Sequence, residues 1–336
     1  MTDAARGRAA GRLSASDALE RAIRKGAIAA ILAAGLLAGS PSAAATHVVL
    51  LGTGTPNAEP ERSGPALAVV VGDRAYLVDA GPGIVRRAAA AAERHDITGL
   101  EAANLGRVFL THLHSDHTTG LADLILAPWV LGRTAPLEVF GPSGTDRMTR
   151  HLLAAYRDDI RVRLDGLEPA NRTGWKVVTT TVRPGLVFRD DRVAVEAFRV
   201  PHGELRESYG YRFTTPDGRV VCSGDTGPFD GLAELARGAE VLIHEAYASA
   251  GFARRDPAWQ RYHAAYHTSG TKVGEIAAAA GVRTVVLVHQ LLWGASEQEL
   301  VAEVRSGFAG EVIYGRDLDA LEVRPGRSAV PPSADR

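Results

Sequence analysis

Cysteine is nearly absent: Cys222 is the single one in 336 residues, so no internal disulfide can brace the chain. It stands in the apolar run Val220-Val221-Cys222 and reads as a buried structural thiol rather than a nucleophile. Aromatic residues make up only 6%, which points to close packing of small side chains rather than an aromatic-rich binding surface. The formal net charge is −1, so no strong basic field advertises a nucleic-acid partner. There is no repeat of fixed period and no linker between two cores. What is present is 46% hydrophobic residues, enough for one sizeable core.

Residues 1–45 differ from the rest. Arg21, Arg24 and Lys25 precede the apolar run Ala27 to Ala38, which Gly39-Ser40-Pro41 and the small residues Ser42 to Ala45 follow. A positive start, a short apolar stretch and an A-x-A-like end describe a secretory signal, so cleavage near Ala45 and a periplasmic or secreted location are expected. The run is too short for a comfortable membrane span, so no stable span is expected after cleavage. Residues 46–336 then carry 32 Lys/Arg against 36 Asp/Glu, a net of −4.

From His47 onward, short apolar runs alternate with helical patterns. Strands are expected at His47–Leu51, Ala66–Val71, Ala75–Val78, Leu105–Leu110, Leu137–Phe140, Val193–Val200, Tyr209–Thr214, Val220–Cys222, Val241–Ile243 and Thr284–Val288. Helices are expected near Ile84–Arg94, Thr118–Leu131, Thr145–Tyr156, Leu232–Arg237, Thr271–Ala280 and Ser296–Phe308. Two runs of strands with helices predict an α/β fold, an αββα sandwich of two mixed sheets flanked by helices, over 46–323. Residues 324–336, with Pro325, Pro331 and Pro332, read as a flexible tail.

The densest chemistry lies in Thr111-His112-Leu113-His114-Ser115-Asp116-His117. On extended chain, residues two apart point the same way, so His112 and His114 can share one metal. The following turn lets Asp116 and His117 reach a second, about 3.5–4 Å away as in two-metal sites. Imidazole and carboxylate donors in this mix suit zinc, with manganese or iron as alternatives. Two metals want further ligands, and His202, Asp225 and His289 each stand just beyond an apolar strand, where a scaffold holds a side chain toward a cleft.

This pattern resembles the metallo-β-lactamase superfamily, and within it the branch of ribonuclease Z and the secreted zinc arylsulfatases. Besides the first cluster, the resemblance rests on Pro201-His202 with Gly210-Tyr211-Arg212 downstream, on Ser223-Gly224-Asp225-Thr226, on His244-Glu245-Ala246 and on His267-Thr268-Ser269. It implies two zinc ions per chain: His112, His114 and His202 on one, Asp116, His117 and His289 on the other, with Asp225 bridging. It also implies His267 as a catalytic histidine that binds no metal, and a homodimer. Asp116 can both bind metal and accept a proton. Asp79, His244 and Glu245 are expected to orient other groups.

Gln290-Leu291-Leu292-Trp293-Gly294 and the stretch Gly52 to Ala66 are similar to the arylsulfatase group. Between Gly141 and His202 there is no lysine-rich insertion of the kind that long ribonucleases use to grip tRNA. The expectation is therefore an exported dinuclear zinc hydrolase that cleaves a small anionic aryl sulfate by a metal-bridging hydroxide, with nucleic acid an unlikely partner. A phosphodiesterase or ribonuclease Z-like nuclease is the alternative; a lactonase or a non-catalytic metal-binding module is the weaker one. Trp129, Phe252, Trp259, Tyr262 and Trp293 are candidates to wall an aryl pocket, and His263 is read as structural.

Overall fold

A computed structural model describes residues 45–325. The export segment expected at 1–45 and most of the tail expected from 324 lie outside the described residues. Along the chain come β1 (Thr46–Gly52), β2 (Ala66–Val71), β3 (Arg74–Val78), α1 (Ile84–His95), β4 (Arg107–Phe109), α2 (Ser115–Thr118), α3 (Leu121–Val130) and β5 (Leu137–Gly141). Next are α4 (Thr145–Ala155), α5 (Arg157–Asp165), β6 (Val177–Thr181), β7 (Gly185–Arg189), β8 (Ala194–Arg199), β9 (Tyr209–Thr215), β10 (Gly218–Cys222) and α6 (Gly231–Leu235). The last are β11 (Val241–Tyr247), α7 (Ser249–Phe252), α8 (Pro257–Tyr266), α9 (Gly270–Ala280), β12 (Thr284–Leu291), α10 (Glu297–Gly307), β13 (Glu311–Tyr314) and β14 (Ala320–Glu322).

The strands form two seven-stranded sheets, ordered β14-β1-β2-β3-β4-β5-β6 and β13-β12-β11-β10-β9-β8-β7. Both are mixed: β1–β2–β3 and β7–β8–β9–β10 pair antiparallel, while β3–β4–β5–β6 and β10–β11–β12–β13 pair parallel. Side chains alternate across a strand, and here both faces are covered, so the strands read as unbroken apolar runs. Val48, Leu50, Val69, Tyr76, Val78 and Phe109 face the second sheet, meeting Val195, Tyr211, Phe213, Val220 and Ile243. The intervening Val49, Leu51, Val70, Leu77 and Val108 lie under Ile84, Ala88 and Ala91 of α1 and Leu121, Leu124 and Ile125 of α3. On the other side Val221, Leu242, Val285 and Leu287 lie under Val273, Ile276 and Ala277 of α9 and Leu300 and Val304 of α10. The expected αββα sandwich is the fold.

Cys222 sits between the sheets, and burial pushes its thiol up to about 12, which leaves it unreactive. Arg133 is buried without a carboxylate; its guanidinium donates to the carbonyls of Leu105, Leu124, Ile125 and Gly174, and burial lowers its pKa to about 10. Pro128, inside α3, has no N–H to donate to the Leu124 carbonyl, so the guanidinium supplies that donor without an acid nearby. The carboxyl ends of β4, β8, β10 and β12 carry the predicted ligands: His112, His114, Asp116 and His117 follow β4, His202 follows β8, Asp225 follows β10, and His289 lies near the end of β12. No helix among the described residues is long and apolar enough to cross a membrane.

Candidate metal centre

After β4 the chain leaves the sheet at Thr111, and His114 caps α2 in extended conformation, φ −64 and ψ 151. Its carbonyl accepts from Thr118 Oγ1 at 2.8 Å, which fixes the turn. The helical pattern expected from Thr118 to Leu131 is thus split into α2 and α3. His112 and His114 straddle this corner with Nε2 and Nδ1 2.9 Å apart, and His202 Nε2 approaches the same Nδ1 at 3.2 Å. Three imidazole nitrogens converging so closely cannot all be satisfied by one another. A zinc ion with Zn–N of roughly 2.0–2.1 Å holds neighbouring nitrogens about 3.4 Å apart in a tetrahedron, close to the spacing seen.

A second group lies beside it. Asp116 Oδ2 is 3.3 Å from His289 Nε2 and 3.5 Å from His117 Nε2. Asp225 Oδ2 is 3.4 Å from each of the same two nitrogens, and its carboxylate also groups with His112. Asp225 therefore stands between the two sets. Gly224 before it has φ +62, and a Cβ there would lie 2.8 Å from the Tyr209 carbonyl, so glycine is needed to turn the carboxylate inward. His117 Nε2 and His289 Nδ1 are buried with no hydrogen-bond partner among the described residues. The donors present fit a pair of metal ions.

The supports of these ligands are on the page too. Asp79 Oδ2 accepts from His117 Nδ1 at 2.8 Å, and Oδ1 accepts from Thr111 N at 2.8 Å, so one carboxylate aims Nε2 and ties down the loop. His202 Nδ1 donates to the Tyr266 carbonyl at 2.9 Å. Gly203, at φ +53, leaves room for the Tyr266 ring, which a Cβ would meet at 2.0 Å. Asp79 and His289 themselves have φ of 60 and 46, left-handed values that cost side chains other than glycine of order 1–3 kcal/mol. Glu245 Oε1 accepts from Thr268 N at 2.7 Å, and Oε2 lies 3.4 Å from His267 Nδ1, so Glu245 positions the His267 turn. His267 stacks on His289 at 5.5 Å and also lies close to Asp225.

His244 departs from expectation. β11 runs on to Tyr247, so His244 is mid-strand and period-two alternation turns it away from Glu245, toward the side where Leu242 and Ala246 meet the helices. Its Nδ1 engages the Glu245 carbonyl at 2.6 Å, and no hydrogen bond joins it to a ligand. Trp129 is likewise elsewhere, its Nε1 donating to the Asn171 carbonyl. The sequence reading missed α8. That helix starts at Asp256-Pro257, a combination that favours initiation, and it carries Trp259, Tyr262, His263 and Tyr266 to the cleft. A cavity of about 270 Å³ opens over the metal group, lined by His114, Asp116, Asp225, His267 and His289 and by Trp259, Tyr262, His263 and Trp293.

Protonation divides the two sets. Burial, helped by His117, holds His112 well below the ordinary histidine value, and burial lowers His114 and brings His202 to about 4. Burial opposes charge on His117 too, but Asp225 and Asp79 overcome it and raise its pKa well above ordinary; Asp225 and Asp116 do the same to a lesser degree for His289. Opposed by burial, Asp225 is still held well below the carboxylate range by His289 and His117. A proton competes with metal only below a ligand's own pKa in the metal-free protein. Acidification from pH 7 to 5 should thus weaken metal binding at Asp116, His117 and His289, about tenfold per unit per displaced proton, and leave His112, His114 and His202 little changed. Cobalt titrations at pH 5, 6 and 7 check this; loss from the His112 set first contradicts it.

A family model described as a beta-lactamase superfamily domain matches residues 74–290, spanning the first metal cluster through His289. The chain belongs to the metallo-β-lactamase superfamily. Within the superfamily, a ribonuclease Z from Mycobacterium bovis BCG is 33% identical over 292 residues, 84% of this chain and 99% of that one. A ribonuclease Z from Mycobacterium sp. strain KMS is 35% identical over 284 residues, 83% and 97% of the two chains. Among solved structures, the metallo-β-lactamase-fold protein YhfI from Bacillus subtilis superposes with a TM-score of 0.63 at 20% identity, over 82% of this chain and 99% of that one. Human short-form tRNase Z superposes with 0.60 at 20% identity, over the same shares.

These relatives correct the expected partner. Net charge and the missing lysine-rich insertion point away from nucleic acid, yet the curated relatives that match along nearly their whole length are ribonucleases by name. Net charge averages over the whole surface and says little about one cleft. A groove of about 790 Å³ that shares Asn57 and Trp293 with the metal cleft carries Arg62, Arg87, Arg94 and Arg316, balanced by Glu59, Glu61, Glu297 and Asp317. Gln290, which suggested a sulfatase, is buried packing: it engages Arg62 and donates to the carbonyls of Leu287 and Gly315.

Proposed function

We propose that this chain is a metal-dependent phosphodiester hydrolase of the ribonuclease Z type, acting on RNA. The observation that carries the reading is the 33–35% identity to ribonucleases Z over 97–99% of their lengths. The convergence of His112, His114, Asp116, His117, His202, Asp225 and His289 at one edge supports it. His112, His114 and His202 would hold one zinc ion; Asp116, His117 and His289 would hold a second, with Asp225 shared. When bound, the metal lowers the pKa of water toward neutrality and offsets negative charge on the phosphoryl oxygens.

The chain's own groups do the rest. Asp116 is turned to His289 and His117 through Oδ2, which leaves its other oxygen to take the proton of the attacking water. As the water oxygen bonds to phosphorus and the bond to the leaving oxygen breaks, that carboxyl can return a proton to the leaving oxygen. Burial brings His267 to about 4, so at neutral pH it is an uncharged imidazole that serves as a hydrogen-bond donor to the phosphoryl oxygens. Burial and the nearby Asp225 hold Glu245 well above the carboxylate range, so it keeps a proton to face His267 Nδ1 and leaves Nε2–H for the substrate. Export by residues 1–45 belongs to this proposal and sets which RNA the protein meets; N-terminal sequencing of fractionated cells reads it.

Side-by-side turnover tests the substrate class. The zinc-loaded protein should cleave a 3′-extended tRNA precursor and a bis-aryl phosphodiester, and an aryl sulfate at least about 100-fold more slowly, if at all. Sulfate hydrolysis with both phosphodiesters left intact would overturn the proposal.

A further inference from the structure

Besides the rings buried between the sheets, a second group of aromatics gathers at the cleft. Trp259, Tyr262, His263 and Tyr266 recur at helical spacing on α8 and so share one face. Tyr262 stacks on Tyr266 at 4.3 Å, Trp259 on His263 at 5.5 Å, and Trp293 meets His263 at 4.2 Å from the loop after β12. Internal packing alone would bury such rings. Instead Trp259 is 48% and Tyr262 37% exposed, and both line the cavity that holds the metal ligands.

Two polar groups set into this wall are unspent. His263 is 7% exposed and neither ring nitrogen has a partner among the described residues, a costly state for a buried imidazole unless something else meets it. Arg255 lies 5.1 Å from the Trp259 ring and 5.5 Å from that of Trp293, and its Nε is also buried without a partner. Trp293 is held at φ 45, a strained value that fixes the ring against this group. A plain aryl group would use the stacking faces and leave His263 and Arg255 idle. A nucleotide uses all three: its base has a π-face and hydrogen-bonding edges, and its phosphate suits a guanidinium.

We propose that the α8 wall is a nucleobase subsite, in which the base adjoining the scissile phosphodiester stacks on Trp259 with the nearly perpendicular Tyr262 ring beside it, its edge hydrogen-bonds His263, and Arg255 faces its phosphate. The assignment rests on the phosphodiesterase reading for the identity of the substrate. It makes Trp259, His263 and Arg255 specificity-determining residues apart from the metal group.

Calorimetric titration of the full-length, zinc-loaded protein with three ligands tests it: adenosine 5′-monophosphate, phenyl phosphate and ribose 5-phosphate. The base-bearing ligand should bind about 10-fold more tightly than ribose 5-phosphate, with phenyl phosphate between. Trp259→Ala should erase the advantage of the base, and Trp259→Phe should restore most of it. His263→Phe, which keeps a ring in the stack, should bring the monophosphate down to the level of phenyl phosphate. The subsite is overturned if the wild type binds ribose 5-phosphate as tightly as adenosine monophosphate, if phenyl phosphate equals the monophosphate, or if Trp259→Ala leaves the preference intact. Phosphodiester turnover is read separately. Cleavage without base preference sinks the subsite alone, and base preference without cleavage sinks the hydrolytic reading alone.

Discussion

Asp225→Ala loses metal and hydrolytic activity together. No other side chain groups with members of both ligand sets through its own carboxylate, and it is fully enclosed beside His112, His117 and His289. Its charge helps keep the second pair of imidazoles favourable neighbours: with alanine there, His117 retains Asp79 and the more distant Asp116, and His289 only Asp116. Loss of a support around a metal ligand already costs 10–100-fold in affinity. Loss of a carboxylate shared by both sets should cost more than about 100-fold, and turnover should fall to background. Asp225→Asn, which keeps the shape and removes the charge, separates the two contributions. Equilibrium dialysis against zinc reads the affinity, and full zinc retention in the alanine variant would contradict the bridging position.

His267→Ala gives the opposite pattern, with metal kept and rate lost. His267 lies 5.5 Å by ring centroid from His289, and the first metal set does not use it. Removing one hydrogen-bond donor from charge that develops in the transition state typically costs about 10²–10³-fold in kcat. The zinc content of the variant should equal that of the wild type, and KM should move little. Glu245→Gln keeps the hydrogen bond from Thr268 and should cost less than His267→Ala, because it disturbs only the setting of the imidazole. A His267→Ala protein with near-normal rate would remove the residue from the mechanism, and one that also loses zinc would make it a ligand.

Most of the candidate ligand positions were legible because they stand at the ends of strands that are apolar on both faces. Val108-Phe109-Leu110, Val220-Val221-Cys222 and Val285 to Leu287 are buried runs, and the polar residues shortly past them stand out. The fold was legible for the same reason, since periodicity reports burial and both sheets are covered on both sides. β6 and β7 were missed because half-exposed threonines and an isolated Gly185 give them little apolar signal. β13 and β14 escaped because they are short strands at the sheet edges. α8 was missed because its face toward the cleft is aromatic and half exposed rather than aliphatic and buried, the property that makes it interesting. His244 was misplaced because the strand was ended at Ile243, when four more residues continue it and fix which neighbour faces the metals.

Substrate class was the least legible property. A net of −4 averages over the whole surface and the missing lysine-rich insertion concerns only the segment between Gly141 and His202, whereas the proposed substrate contacts are Arg255 and the rings of one cavity. The segment Gln290 to Gly294 misled in a different way, for Gln290 is fixed by what it packs against and not by what is hydrolysed.

Elemental analysis of the purified, active protein tests the central claim most directly. Six imidazole and carboxylate ligands in two sets, with Asp225 between them, predict two zinc ions per chain. Activity should fall with chelation and return in step with the second ion added. Protein that hydrolyses its substrate at full rate while carrying no metal above trace would contradict the account.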